Sequence, residues 1–117
     1  MTLLIVDDSA DFRERIRNLA LKHEKVQIVG EANDGVEAFR IIDAKEPNMI
    51  ILDIRMPLMN GIQVLKKLRA KGSKIIVCML TSYPYPQYKK KCLDLGADYF
   101  FNKSDDFEKI NMILEMH

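Results

Sequence analysis

Five short apolar runs alternate with five longer amphipathic stretches, and no other feature of the sequence restricts the fold as tightly. The runs are Leu3–Val6, Val26–Ala32, Met49–Leu52, Lys74–Leu80 and Asp98–Phe101. Leu3–Val6, Met49–Leu52 and Ile75–Leu80 are apolar almost without interruption, as parallel strands covered on both faces must be. Val26–Ala32 is mixed and contains Gly30, which places it at a sheet edge. The intervening stretches repeat with helical spacing: Phe12, Ile16, Leu19 and His23; Val36, Phe39 and Ile42; Ile62, Leu65 and Leu68; Tyr88, Cys92 and Leu95; Phe107, Ile110 and Leu114. Asp8 or Ser9, Asp34, Asn60 and Asp105 are suited to open helices, and Gly72 and Gly96 to close them. Five strand–helix units with short connections predict a doubly wound α/β sandwich in a single domain, residues 1–117.

Composition narrows the function. A net charge of +1 gives no long-range field for nucleic acid or an anionic membrane. The apolar runs are too short to span a bilayer, and the N-terminus lacks a signal-peptide pattern. Cys78 and Cys92 are far apart and read as buried free thiols. These features point to the cytosol.

In such sheets the ligand crevice lies beyond the carboxyl ends of the strands. The first run is followed by Asp7 and Asp8, the third by Asp53, the fourth by Thr81 and the fifth by Lys103. Two carboxylates about 4 Å apart at an effective dielectric of about 20 repel by about 4 kcal/mol. Three of them need more counter-charge than one lysine supplies. Oxygen ligands select a hard cation, and Mg2+ suits a few carboxylates, several waters and a phosphate oxygen. Alone, Asp-Asp-Ser before a helix is an ordinary cap. Convergence of these side chains at one sheet edge favours a metal serving a phosphoryl group.

"IVDDS", "DIRMPLMNGIQVL", "TS" and "NKS", in this order and at these strand ends, resemble the receiver domain of two-component response regulators over essentially the whole chain. The resemblance implies a flavodoxin-like (βα)5 fold with strand order 2-1-3-4-5. It implies that Asp53 accepts a phosphoryl group from a sensor histidine kinase or a histidine phosphotransfer domain. It further implies that Asp7 or Asp8, with Asp53 and the backbone carbonyl of Arg55, bind Mg2+. By the same resemblance Thr81 and Lys103 contact the phosphoryl oxygens, and Phe100 takes the aromatic switch position. Output would run through the fourth helix, fifth strand and fifth helix, a face through which homodimers are also expected. Direct binding to nucleic acid or membrane is not expected of this domain.

Three features are individual. Most of the family has proline after the lysine, where this chain has Ser104. A cis bond before serine costs about 3–4 kcal/mol. The Lys103–Ser104 bond is therefore trans with a different loop, or the fold enforces the cost. "TSYPYPQY" predicts a stiffened loop entering the fourth helix near Pro86. Tyr83 and Arg55, each two residues beyond a site residue, are candidates for shielding a phosphoaspartate from water. Lys89, Lys90 and Lys91 read first as a solvated face.

Two other functions compete. A Mg2+-dependent phosphohydrolase would use Asp53 as nucleophile, but Arg55 stands where the common aspartate-based hydrolases place a second acid. A receiver-like module working without phosphate would not need the full set of side chains, although Lys103–Ser104 keeps it open.

Overall fold

The computed structural model describes residues 1–117. Its elements follow in the order β1 (Thr2–Val6), α1 (Ala10–Ala20), β2 (Gln27–Ala32), α2 (Gly35–Lys45), β3 (Met49–Leu52), α3 (Gly61–Ala70), β4 (Ile76–Thr81), α4 (Pro86–Asp94), β5 (Tyr99–Asn102) and α5 (Lys109–Met116). All five strands are parallel in one sheet of order β2-β1-β3-β4-β5. The expected order and the edge position of β2 are both present.

Period-two alternation sorts the strand side chains into two cores. Leu4, Val6, Ile50, Leu52, Val77 and Met79 pack with α2, α3 and α4 through Ala38, Phe39, Val64, Leu65, Leu68 and Cys92. Leu3, Ile5, Met49, Ile51, Cys78 and Leu80 face the other way. There they meet Phe12, Ile16 and Leu19 of α1 and Ile110, Ile113 and Leu114 of α5. β1, β3 and β4 are buried on both sides, which is why their sequences are continuous apolar runs. No helix is long and apolar enough to cross a membrane.

Helix starts mostly follow the sequence. The Ser9 hydroxyl accepts from Phe12 N at 3.2 Å, and Asp34 accepts from Glu37 N at 2.8 Å. Asn60 and Gln63 form a reciprocal capping box. Pro86 opens α4 at a position where its missing N–H costs nothing. Gly72 and Gly96 follow α3 and α4 with φ of 77° and 98°, the left-handed backbone that closes helices.

Four expectations need correction. Asp105 does not cap the fifth helix, which begins at Lys109 without a side-chain cap. Asp105 and Asp106 instead bond back to Asn102, and that local alternative consumes the first turn. Val36 is exposed, because Gly35, Ala38 and Phe39 form the inward face of α2. His23 lies beyond α1, where its ring bonds Asn111 at 2.8 Å. Phe107 packs against Phe12 and the α1–α5 core from the loop before α5 rather than from the helix itself.

Candidate functional site

The strand register builds the site. Val6 lies opposite Leu52, so the next residues, Asp7 and Asp53, leave adjacent strands side by side. Asp53 N donates to Val6 O and Asp7 N to Ala32 O, both at 3.0 Å, which carries the sheet ladder one residue past the strands. Asp7 is 1% exposed and Asp53 6%, while Asp8 faces solvent. Carboxylate oxygens of all three lie within 4.8 Å of one another. Thr81, fully buried, ends β4 opposite Asn102, the residue before Lys103. Its carbonyl accepts from Lys103 N at 2.9 Å, and its hydroxyl accepts from Tyr83 N at 2.9 Å.

Charge in this corner is only partly balanced. Lys103 Nζ is 2.6 Å from Asp7 Oδ2 and 3.3 Å from Asp53 Oδ2. Each buried carboxylate gives its other oxygen to a backbone N–H, Asp7 to Ser9 at 2.9 Å and Asp53 to Ile54 at 2.8 Å. One ammonium thus sits against two buried carboxylates, with the exposed carboxylate of Asp8 close beside those two. Burial and then the neighbouring Asp7 push the Asp53 carboxyl up to about 6, against the opposing pull of Lys103 and the Ile54 N–H. An all-oxygen, net-negative set of this kind fits a hard divalent cation such as Mg2+, with Asp7, Asp8 and Asp53 as the side chains able to hold it.

Two loops fix the geometry. After β3, Gly61 N donates to Ile54 O at 2.8 Å, closing residues 54–61 into a loop, and Gly35 N donates to Met59 O at 3.0 Å, clamping that loop to the start of α2. A Cβ on Gly61 would lie 1.9 Å from the Asp53 carbonyl oxygen, so only glycine permits this approach. Between these clamps Leu58 takes φ 67°, and Met59 N donates to Pro57 O at 2.8 Å, a tight γ-turn. After β5, the Lys103–Ser104 bond is trans. Asn102 shapes that loop: its side chain accepts from Ser104 N and its N–H donates to Asp106, both at 2.9 Å. Lys103 therefore reaches both carboxylates without a proline after it.

The response regulator receiver domain profile matches residues 3–115. The chain belongs to this family. Its members are the receivers of two-component systems, whose signalling runs through phosphorylation. The BvgA virulence regulator of Bordetella pertussis is 31% identical over 108 residues, 92% of this receiver and 51% of that protein. Among solved structures, a LuxR-family DNA-binding response regulator from Staphylococcus aureus superposes with TM-score 0.91 at 29% identity, covering 98% of this receiver and 96% of that chain. The CheY of a CheX–CheY–BeF3–Mg2+ complex from Borrelia burgdorferi gives 0.89 at 30% identity, covering 99% and 87%. This receiver spans about half the length of several curated relatives it matches, and 28% of a Methanococcus maripaludis methylesterase.

Around the carboxylates the receiver carries groups that sequence reading placed or missed. Arg55 and Tyr83 do meet, the guanidinium 3.8 Å from the ring centroid. Tyr85 lies 6.3 Å from Tyr83 and 5.6 Å from Tyr88, extending the cluster onto α4. Phe100 on β5 lies opposite Met79, half-buried against the α2–α4 core. Lys89, Lys90 and Lys91 are exposed, and Lys90 pairs with Asp94 at 2.8 Å. Sequence reading missed Arg13, whose guanidinium donates to Asp7 O at 2.6 Å and lies 3.3 Å from Glu31. It also treated Phe12 only as core, although Lys103 Nζ sits 4.2 Å from that ring's centroid. Helical spacing of apolar residues cannot separate a core aromatic from one lying over an ammonium.

Proposed function

We propose that this receiver is a phosphorylation-controlled switch in which Asp53 accepts a phosphoryl group from a histidine kinase or histidine phosphotransfer protein. The observation that carries this reading is Asp53 itself. It is a buried carboxylate beside two others, with an ammonium 3.3 Å away, at the carboxyl edge of a parallel sheet. An Asp53 oxygen attacks phosphorus, the bond from phosphorus to the donor's imidazole nitrogen breaks, and the imidazole leaves as the neutral ring after gaining a proton. Asp53 is a nucleophile only when ionised, and with a value of about 6 it is largely so above neutrality. Lys103 gives up part of its contact with Asp7 and Asp53 to meet the new phosphoryl oxygens. Mg2+, held by Asp7 or Asp8 with Asp53 and the Arg55 backbone carbonyl, would supply charge neutralisation of those oxygens.

The switch would follow from Thr81. Its hydroxyl is held by Tyr83 N and would turn to the phosphoryl group. Phe100 would then move toward the vacated space and alter the surface of α4, β5 and α5, a face open to partners or to a second copy.

The stacked Arg55 and Tyr83 would cover the phosphoaspartate against water. Tyr83→Ala is expected to speed dephosphorylation several-fold, measured as the decay of phosphorylated protein by intact mass. An unchanged decay rate would remove the shielding role.

The reading as a whole is tested by incubating the protein with phosphoramidate and Mg2+ and recording intact mass together with free phosphate. A switch gains a single phosphate. A hydrolase releases phosphate over many turnovers, and a module working without phosphate does neither.

A further inference from the structure

We propose that Phe12 is a positioning residue for Lys103: its ring face seats the ammonium while the lysine exchanges carboxylate contacts for phosphoryl ones. This rests on the reading of Asp53 as phosphoacceptor.

Lys103 is the one cation paired with the two buried carboxylates, and its side chain is 12% exposed. Those carboxylates take one part of its surroundings; the Phe12 ring, 4.2 Å from Nζ, takes another. A ring at that distance attracts the ammonium through its quadrupole, and more strongly when water is excluded. Phe12 is itself buried, so the contact is not a solvent-exposed one.

The kind of contact matters. A third carboxylate here would pin the ammonium in one geometry and add negative charge beside an incoming phosphoryl group. An aromatic face is broad and carries no net charge. It tolerates small movements of Nζ without a matching loss of energy, while keeping the flexible four-carbon stem from swinging out to water.

The ring is fixed from two sides. Phe107 meets it edge-to-face at 5.6 Å and 83°, and the Arg15 guanidinium lies 5.1 Å from it and 4.4 Å from Phe107. The backbone N–H of Phe12 is the donor that Ser9 caps, which holds the residue at the first turn of α1. Phe12, Phe107 and Lys103 therefore come from α1, from the loop before α5 and from the residue after β5, and Phe12 and Lys103 meet in the wall of a cavity. Ser9, Phe12, Arg15, Ser82, Lys103 and Ser104 line it. Lys103 is followed by serine and a trans bond, so its placement depends on such contacts in addition to the Asn102 turn.

The test compares Phe12→Leu, Phe12→Met and Phe12→Tyr with wild type, each first shown to be folded by thermal unfolding. Two apolar replacements of different shape ensure that the outcome does not depend on how one of them packs. Phosphorylation rates are measured with phosphoramidate and Mg2+ by intact mass. The ε-methylene proton shifts of Lys103, assigned by comparison with Lys103→Arg, report whether a ring covers the lysine. The expected result is about a tenfold slower rate in the Leu and Met variants, about 1.4 kcal/mol of barrier. Those variants should also lose an upfield ring-current shift that wild type shows. Phe12→Tyr should keep both the shift and a rate near that of wild type. Equal rates in Phe12→Leu and wild type would overturn the positioning role, as would a Tyr variant as slow as Leu. Absence of any phosphorylation of wild type would instead overturn the parent reading of Asp53, and this proposal with it.

Discussion

Asp53→Asn is expected to abolish phosphorylation and, without divalent ions at pH 8, to make the fold more stable by about 3 kcal/mol. The first effect follows because the amide is no nucleophile. The second follows from the Asp53 carboxyl, raised from 3.8 to about 6 by burial and by Asp7. Between these values the folded protein binds a proton that the unfolded chain releases, so stability falls as pH rises through that window. The penalty is complete above about 6 and absent below the ordinary carboxylate range. Asparagine carries no such penalty and leaves the 2.6 Å contact between Lys103 and Asp7 in place. Urea unfolding across pH, with and without Mg2+, checks this. The gap between variant and wild type should open as pH rises and narrow when Mg2+ is added to wild type. A gap independent of pH would show that Asp53 ionises in the fold as it does in the unfolded chain.

Gly61→Ala is expected to cost about 3 kcal/mol, at the top of the usual range for overpacking. The new methyl carbon would lie 1.9 Å from the Asp53 carbonyl oxygen, 2.8 Å from its carbonyl carbon and 3.0 Å from Ile54 Cα. All three are backbone atoms that no side-chain rotation can move aside. They belong to the segment that positions Asp53, so lost stability and slowed phosphorylation should appear together. Urea unfolding with an unchanged m-value checks the first, and the phosphoramidate rate checks the second. A midpoint equal to wild type would mean that the β3–α3 loop yields without cost.

What the sequence makes legible is set by range. Asp7, Asp53 and Thr81 could be placed because each directly follows an apolar run, and Lys103 because it follows one after Asn102; a parallel sheet brings such residues to one edge regardless of the details between them. The edge position of β2 is legible from its mixed composition and Gly30, whereas the order of strands is known only through the resemblance to the receiver family. Contacts between residues distant in sequence do not. That Gly61 touches the Asp53 carbonyl depends on the path of the loop, as does the salt bridge from Arg13 and Arg17 to Glu31. Phe12 fits the periodic apolar stripe of α1 and is also a neighbour of Lys103, and periodicity reports only the first role. The start of α5 was misplaced for a local reason. Asp105 and Asp106 are good helix openers, but Asn102 engages both before the helix can use them.

The central claim is that the carboxylate buried beside Asp7 and Lys103 is the one that takes the phosphoryl group. Borohydride reduction tests it most directly, since it converts an acyl phosphate on aspartate to homoserine and leaves a mark that peptide mass mapping can place. After treatment with phosphoramidate and Mg2+, the mark is expected at Asp53 alone and is expected to vanish when Mg2+ is chelated. A mark at Asp7 or Asp8, or none at all on a folded protein, would contradict the account.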